Sequence, residues 1–257
     1  MDSTLTRPEQ SPIATATPAG WRPTAVILDL FGTLVPAPDD RERSHAARRI
    51  AAELHVPDHI ADQVLGGSWL ARHDGTLSTP TEIAAHLAEQ CGAPAEYVPQ
   101  VESVLRQLAP RRLRAEPSVL ESLHTLRRSG IRLALLSDAA PDIAEAWHHS
   151  ELSEQFDVAL FSCREGAVKP TRHLYARVAE RLGHAADSVL YCGDGGGNEL
   201  LGALRCGMRA VRVERRGGTD TLAFGDHGQP WPGVTLKSVE ALPTWLGVSN
   251  SNWQEVR

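Results

Sequence analysis

The sequence predicts a doubly wound α/β fold, a parallel sheet with helices on both faces and a helical insertion. Three observations predict it. Five short, nearly continuous apolar runs suit strands buried on both faces. Segments of helical period lie between them and stop at glycines. One long stretch after the first run holds no convincing strand.

Residues 1–21 are rich in Thr, Pro, Ser and Ala without apolar periodicity, and are expected to form a disordered tail. Ala25–Leu28 is the first strand. Residues 37–112 are expected to form a cap of about four helices over the carboxyl edge of the sheet. Ile50 and Leu54 share one stripe, as do Ile83 and Leu87, and Val101, Leu105 and Leu108. Thr79-Pro80-Thr81-Glu82 reads as a capping box with proline at the first helical position. Residues 22–36 and 113–250 form the expected α/β core. Val119, Leu120, Leu123 and Leu126 make a helix that stops at Gly130, and Ile131–Leu136 is the second strand. Val158–Phe161 is the third strand, followed by a helix through Leu174, Val178 and Leu182 that ends at Gly183. Val189–Cys192 is the fourth, with Leu200, Leu201 and Leu204 after it, and Ala210–Val213 is the fifth. Residues 251–257 are read as a C-terminal tail.

With 257 residues the chain can form one large domain or a core with an inserted subdomain. A net charge of −6 gives no reason to expect a nucleic-acid partner. No apolar run approaches the roughly 18 residues needed to span a membrane, and the N-terminus lacks the basic start and apolar stretch of a signal peptide. Cys91, Cys163, Cys192 and Cys206 form no CxxC pair and are expected as free thiols in a reducing cytoplasm. The oligomeric state cannot be read from the sequence. Only two of the 26 Lys and Arg residues are lysine, Lys169 and Lys237, which singles out Lys169 beside Pro170.

Ligands bind open parallel sheets beyond the carboxyl ends of the strands. The polar residues there are Asp29 after the first strand, Ser137 and Asp138 after the second, Lys169 after the third and Asp194 after the fourth. A carboxylate at the end of a buried strand is costly to desolvate. Together these groups describe a site for an anionic small molecule.

The motifs Asp29-Leu30-Phe31-Gly32-Thr33-Leu34, Leu136-Ser137-Asp138, Val168-Lys169-Pro170 and Gly193-Asp194-Gly195-Gly196-Gly197-Asn198-Glu199 resemble those of the haloacid dehalogenase superfamily of hydrolases. Their order and spacing match across about residues 23–215. The resemblance implies that Asp29 is a nucleophile forming a covalent aspartyl intermediate. It implies that Ser137 hydrogen-bonds the transferring group and that Lys169 neutralises charge. It further implies Mg²⁺ held by Asp29, Asp194 and the Phe31 carbonyl, with Asn198 and Glu199 as outer partners. The expected reaction is hydrolysis of a small phosphorylated metabolite. Mg²⁺ prefers one or two carboxylates, waters and substrate phosphate oxygens.

Phe31 departs from the phosphatase pattern, in which a second Asp at that position works as general acid and base. Phenylalanine cannot transfer a proton, a function typically worth about 10²–10⁴ in rate. Three readings follow: a phosphatase whose proton is handled elsewhere, a carbon–halogen hydrolase, or an impaired site that binds anions. Asp138 is the leading substitute, with His45, His73 and Asp74 behind it, and Thr33 is a further group able to act at substrate. Arg72-His73-Asp74-Gly75-Thr76 resembles a cap loop reaching over the substrate, where Arg72 would bind an anionic group. Arg48, Arg49, Arg111, Arg112 and Arg114 read as solvated faces, and Trp69 and Trp147 as packing residues.

Overall fold

The computed structural model describes residues 20–214, 216–217 and 231–248. Both expected tails fall almost wholly outside them. Chain order is β1 (Ala25–Leu28), α1 (Asp40–Leu54), α2 (Asp58–Gly67), α3 (Trp69–His73), α4 (Pro80–Gln90), α5 (Val98–Arg112), α6 (Pro117–Arg128) and β2 (Arg132–Ser137). Then come α7 (Pro141–Ala146), β3 (Val158–Phe161), α8 (Ser162–Glu165), α9 (Arg172–Leu182), β4 (Val189–Gly193), α10 (Glu199–Arg205), β5 (Arg209–Val213), β6 (Thr235–Leu236) and α11 (Leu242–Trp245). The strands form one parallel sheet in the order β3-β2-β1-β4-β5-β6.

Alternation along β1 explains the two-sided core. Val26 and Leu28 face a cluster with Val119, Leu123 and Leu126 of α6 and Leu242 of α11. Ala25 and Ile27 face Leu174, Val178 and Leu182 of α9 and Leu200 of α10. Sheet register fixes the site. Leu28 pairs with Leu135 and Cys192, so Asp29 leaves the sheet level with the ends of β2 and β4. The Asp29 N–H donates to the Cys192 carbonyl at 3.0 Å, holding that level.

Between β1 and α6, five helices enclose a separate apolar cluster of Ile50, Leu54, Ile83, Leu87 and Val101. Ala140, just before α7, joins this cluster and connects it to the end of β2. About four helices were expected. The additional one is α3, cut from a stretch that reads as a loop and ended by Asp74 and Gly75, whose φ is +86°. Thr79 accepts from the Glu82 N–H at 3.1 Å as expected, but the Glu82 carboxylate returns to Ser78, one residue beyond the usual box. The sixth strand was not foreseen, because two residues carry no period. No helix among the described residues is long and apolar enough to cross a membrane.

Candidate active site

Asp29, Lys169, Asp194 and Glu199 are buried together at the carboxyl edge of β1 and β4. Lys169 Nζ donates to Asp29 Oδ1 at 2.5 Å and to Glu199 Oε2 at 2.6 Å. The Thr33 hydroxyl donates to Asp29 Oδ2 at 3.1 Å, so both oxygens of Asp29 are oriented. Carboxylate oxygens of Asp29, Asp194 and Glu199 all lie within 4.8 Å of one another. Burial raises the Asp29 pKa against the opposing pull of Lys169, with Asp194 adding to the rise. Burial likewise pushes Glu199 up, Lys169 opposing and Asp29 and Asp194 adding. Lys169 is penalised by desolvation, yet Asp29 and Glu199 hold it well above an ordinary lysine, so it stays cationic.

Glu199 stands inside the carboxylate group, one of its oxygens within 4.8 Å of oxygens of Asp29 and Asp194. Tyr191 Oη donates to Glu199 Oε2 at 2.7 Å and the Gly195 N–H donates to Oε1 at 3.0 Å. Tyr175 Oη donates to the Glu199 carbonyl at 2.9 Å. Sequence reasoning missed both tyrosines. A tyrosine inside the apolar run Val189–Cys192 was the available signal, since a buried hydroxyl needs a partner. Asn198 sets the backbone before Glu199, with φ +54°, and is not one of the three carboxylates.

Gly193 makes the Glu199 position possible. A Cβ there would stand 2.0 Å from Glu199 Oε1 and 2.7 Å from its Cδ. Gly193→Ala is therefore expected to push the carboxylate off Lys169 and lower turnover by about 10²-fold, the loss typical of a misplaced site group. Steady-state kinetics beside a thermal melt separates this from unfolding.

Ser137 is fully buried and its Oγ has no hydrogen-bond partner, a rare state that a ligand oxygen would relieve. Asp138 does not reach the carboxylate group. Its two oxygens accept from the Lys169 backbone N–H at 3.0 and 3.3 Å. Burial, opposed by Lys169, raises its pKa from 3.8 to about 6. A raised carboxyl pKa means that the folded state binds the proton more tightly. Its charge thus costs stability progressively as pH rises from 3.8 through about 6. Asp138→Asn keeps an acceptor for Lys169 N–H and removes that cost. The expected gain at pH 7.5 is on the order of 2 kcal/mol, vanishing below pH 3.8, read from denaturant titrations at both pH values.

The remaining expected residues are more scattered. Arg72 belongs to α3, not to a loop. Its Nη2 donates to the Leu65 carbonyl at 2.7 Å and its Nε to Ser68 Oγ at 3.2 Å. His73 is buried with its pKa lowered to about 3 by desolvation and by Arg72, so it is neutral and a poor acid. Asp74 caps its own turn by accepting from the Thr76 N–H. Arg112 is partly buried, its side chain 29% exposed. Its guanidinium lies 4.6 Å from the centre of the Phe31 ring, and its Nε is 3.0 Å from Glu42. Trp147 packs in the core as expected, while Trp69 stacks on His73 and lines a cavity.

A family model described as haloacid dehalogenase-like hydrolase matches residues 23–207. The chain belongs to the haloacid dehalogenase-like hydrolases. It is 32% identical over 130 residues to a phosphoserine phosphatase of Thermus thermophilus, covering 50% of this chain and 51% of that protein. Across its curated relatives the chain spans from 20% to 59% of their length. A haloacid dehalogenase-like phosphatase structure from Thermococcus onnurineus superimposes with a TM-score of 0.62 at 21% identity, covering 88% of this chain and 98% of that one. An L-2-haloacid dehalogenase from Xanthobacter autotrophicus, solved with chloropropionic acid covalently bound, superimposes with a TM-score of 0.58 at 22% identity, covering 87% and 98%. This haloacid dehalogenase-like hydrolase thus shares its fold with enzymes of both chemistries.

Proposed function

We propose that this protein is a Mg²⁺-dependent hydrolase of a small phosphorylated metabolite, with Asp29 as nucleophile. The carrying observation is the meeting of three buried carboxylates around one ammonium. Arg212 is exposed and donates to the Asp194 backbone carbonyl, so it adds only a solvated charge beside them. An all-oxygen, electronegative group of this kind suits Mg²⁺, and the orphaned Ser137 hydroxyl suits a phosphoryl oxygen. Asp29, Asp194 and the Phe31 carbonyl would hold the ion, with Glu199 beside them. When bound, the ion supplies charge neutralisation to the transferring group.

The residues then divide the work. Thr33 and Lys169 hold Asp29 for in-line attack on phosphorus, breaking the bond to the ester oxygen and forming an aspartyl phosphate that water hydrolyses. Lys169 offsets the charge shared by nucleophile and substrate. Ser137 Oγ donates to a phosphoryl oxygen. Asp138, whose two oxygens are held by the Lys169 N–H, would manage the proton that Phe31 cannot only by turning from that bond towards the leaving group. The five-helix insertion acts as the cap that closes over the substrate.

Phe31 favours a second reading, carbon–halogen hydrolysis, in which no leaving group needs a proton. The three clustered carboxylates oppose it, because a haloacid would bring another carboxylate to them. Assays of phosphate esters and 2-haloacids with Mg²⁺ or EDTA decide between them. Phosphate release with Mg²⁺ and none with EDTA is expected. Halide release indifferent to EDTA would overturn the proposal. Phe31→Asp is expected to speed phosphate release about tenfold, less than a full general acid provides, because Arg112 stands over that position and favours the ionised form.

A further inference from the structure

An alkyl oxygen leaves phosphorus far more readily when it receives a proton. An alkoxide is about as basic as hydroxide, whose conjugate acid has a pKa of about 16. The groups around Asp29 show which of them has a proton to give. Lys169 Nζ donates to Asp29 and Glu199, and these carboxylates hold it well above an ordinary lysine, so it keeps its protons. Glu199 accepts from Lys169, Tyr191 and the Gly195 N–H, the pattern of an ionised carboxylate. Asp194 Oδ1 accepts from the Gly196 N–H at 2.8 Å. The hydroxyls of Tyr191 and Tyr175 donate to Glu199, one to its carboxylate and the other to its carbonyl.

Neighbouring elements supply none either. Both Asp138 oxygens are turned to the Lys169 backbone N–H. His73 on α3 is neutral, its Nδ1 2.7 Å from the Trp69 carbonyl and its ring stacked on Trp69. Asp74 closes its own turn on the Thr76 N–H. His45 and Asp142 border a cavity among the insertion helices that none of Asp29, Ser137, Lys169 and Asp194 lines. Two residues after Asp29 stands Phe31, packed against the core and lying under the Arg112 guanidinium. A guanidinium keeps its protons. Among the described residues, the reacting edge thus holds an ammonium and bonded carboxylates but no acid free to protonate a leaving oxygen.

We propose that the substrate carries its phosphoryl group on an acidic oxygen, that of a carboxylic acid, a phenol or an enol, which leaves as an anion without being protonated. The inference rests on the phosphatase reading and narrows it. One Asp29 carboxylate oxygen attacks phosphorus, and the bond from phosphorus to the leaving oxygen breaks. Its electron pair departs on that oxygen as a carboxylate, phenolate or enolate. Water then attacks the phosphorus of the aspartyl phosphate. Both hydrogens of the water leave on dihydrogen phosphate, and Asp29 regains its carboxylate. The aspartyl phosphate is itself an acyl phosphate, so its breakdown needs no acid. Phenols and carboxylic acids have pKa values of about 10 and about 4, far below an alcohol. Their phosphates gain little from an acid at position 31, whereas an alkyl ester forgoes the roughly 10²–10⁴ in rate that one supplies.

The test uses the full chain with Mg²⁺ and two pairs of substrates matched in size, phenyl against cyclohexyl phosphate and acetyl against ethyl phosphate. The quantity compared is kcat/KM, which contains the step that forms the aspartyl phosphate. Phenyl and acetyl phosphate are each expected to exceed their alkyl partner by about 10²-fold or more. The higher kcat/KM of the two assigns the phenolic or the carboxylic source. In Phe31→Asp the phenyl-to-cyclohexyl ratio should fall about tenfold, because only the alkyl ester gains from a new acid. In Phe31→Asn, equal in size but without a proton to give, the ratio should hold. Equal kcat/KM within each pair for wild type would overturn the inference and leave the phosphatase reading intact. So would a ratio that falls as far in Phe31→Asn, which would make the size of residue 31 the cause. A ratio that widens in Asp138→Asn would make Asp138 the acid, with the same result. Phosphate release from none of the four substrates would refute the phosphatase reading and the inference with it. The wild-type ratios decide the matter even where a variant does not fold.

Discussion

Asp29→Asn is expected to lower Mg²⁺-dependent phosphate release by about 10⁴-fold or more, the loss that follows removal of a covalent nucleophile. The amide is nearly isosteric and keeps an oxygen for the Thr33 hydroxyl, so the fold should persist. Its stability should not fall. Burial raises the Asp29 pKa, which makes its charged form a net cost at neutral pH, and the neutral amide avoids that cost. Phosphate assays beside thermal melts check both statements. Activity above a hundredth of wild type in a folded variant would assign the nucleophile elsewhere.

Lys169→Met is expected to damage both activity and stability. Lys169 Nζ is shared between Asp29 and Glu199, and all three side chains are buried. Removing the ammonium leaves two buried carboxylates without the cation that offset them, at a cost of about 3–5 kcal/mol. For a chain of this size that lowers Tm by about 10 °C. The pH dependence carries the diagnostic sign. Without Lys169, Asp29 and Glu199 rise further above their ordinary pKa values, so the variant should be most stable in acid and lose stability as pH increases. Wild type has the same sign, because burial already raises Glu199 to about 8. It should show a smaller difference between pH 5.5 and 9, its loss levelling off above pH 8 while that of the variant continues. Melts of both proteins at the two pH values test this. A variant as stable as wild type at pH 8 would mean that Lys169 does not offset these charges. Mg²⁺ should restore part of the lost Tm, since it supplies the missing positive charge.

How legible the site was depended on how local its signals are. Asp29, Ser137 and Asp194 end apolar runs, and register alone carries them to one edge. Lys169 stood out because lysine is so scarce in this chain. Glu199 could be read only as an acid in the first turn of a helix. Its entry between Lys169 and Tyr191 needs a strand with no Cβ at Gly193, a contact between residues six apart that no period encodes. The helix that holds Arg72 and the surroundings of Arg112 went unread for the same reason. Arg112 ends a helix and Arg72 sits in a five-residue helix, and whether such a guanidinium meets water or Phe31 depends on a neighbour far away in sequence.

The sequence by itself determined the parallel α/β sheet, its first five strands, the helical insertion and the strand-end residues. These follow from apolar period and chain punctuation, which act over a few residues. Tertiary structure alone decided that Glu199 joins Asp29 and Asp194, that Ser137 keeps an unpaired hydroxyl, and that Arg112 stands over Phe31. Those outcomes rest on burial and on pairing between distant side chains, because the cost of a charge depends on what surrounds it once the chain has folded.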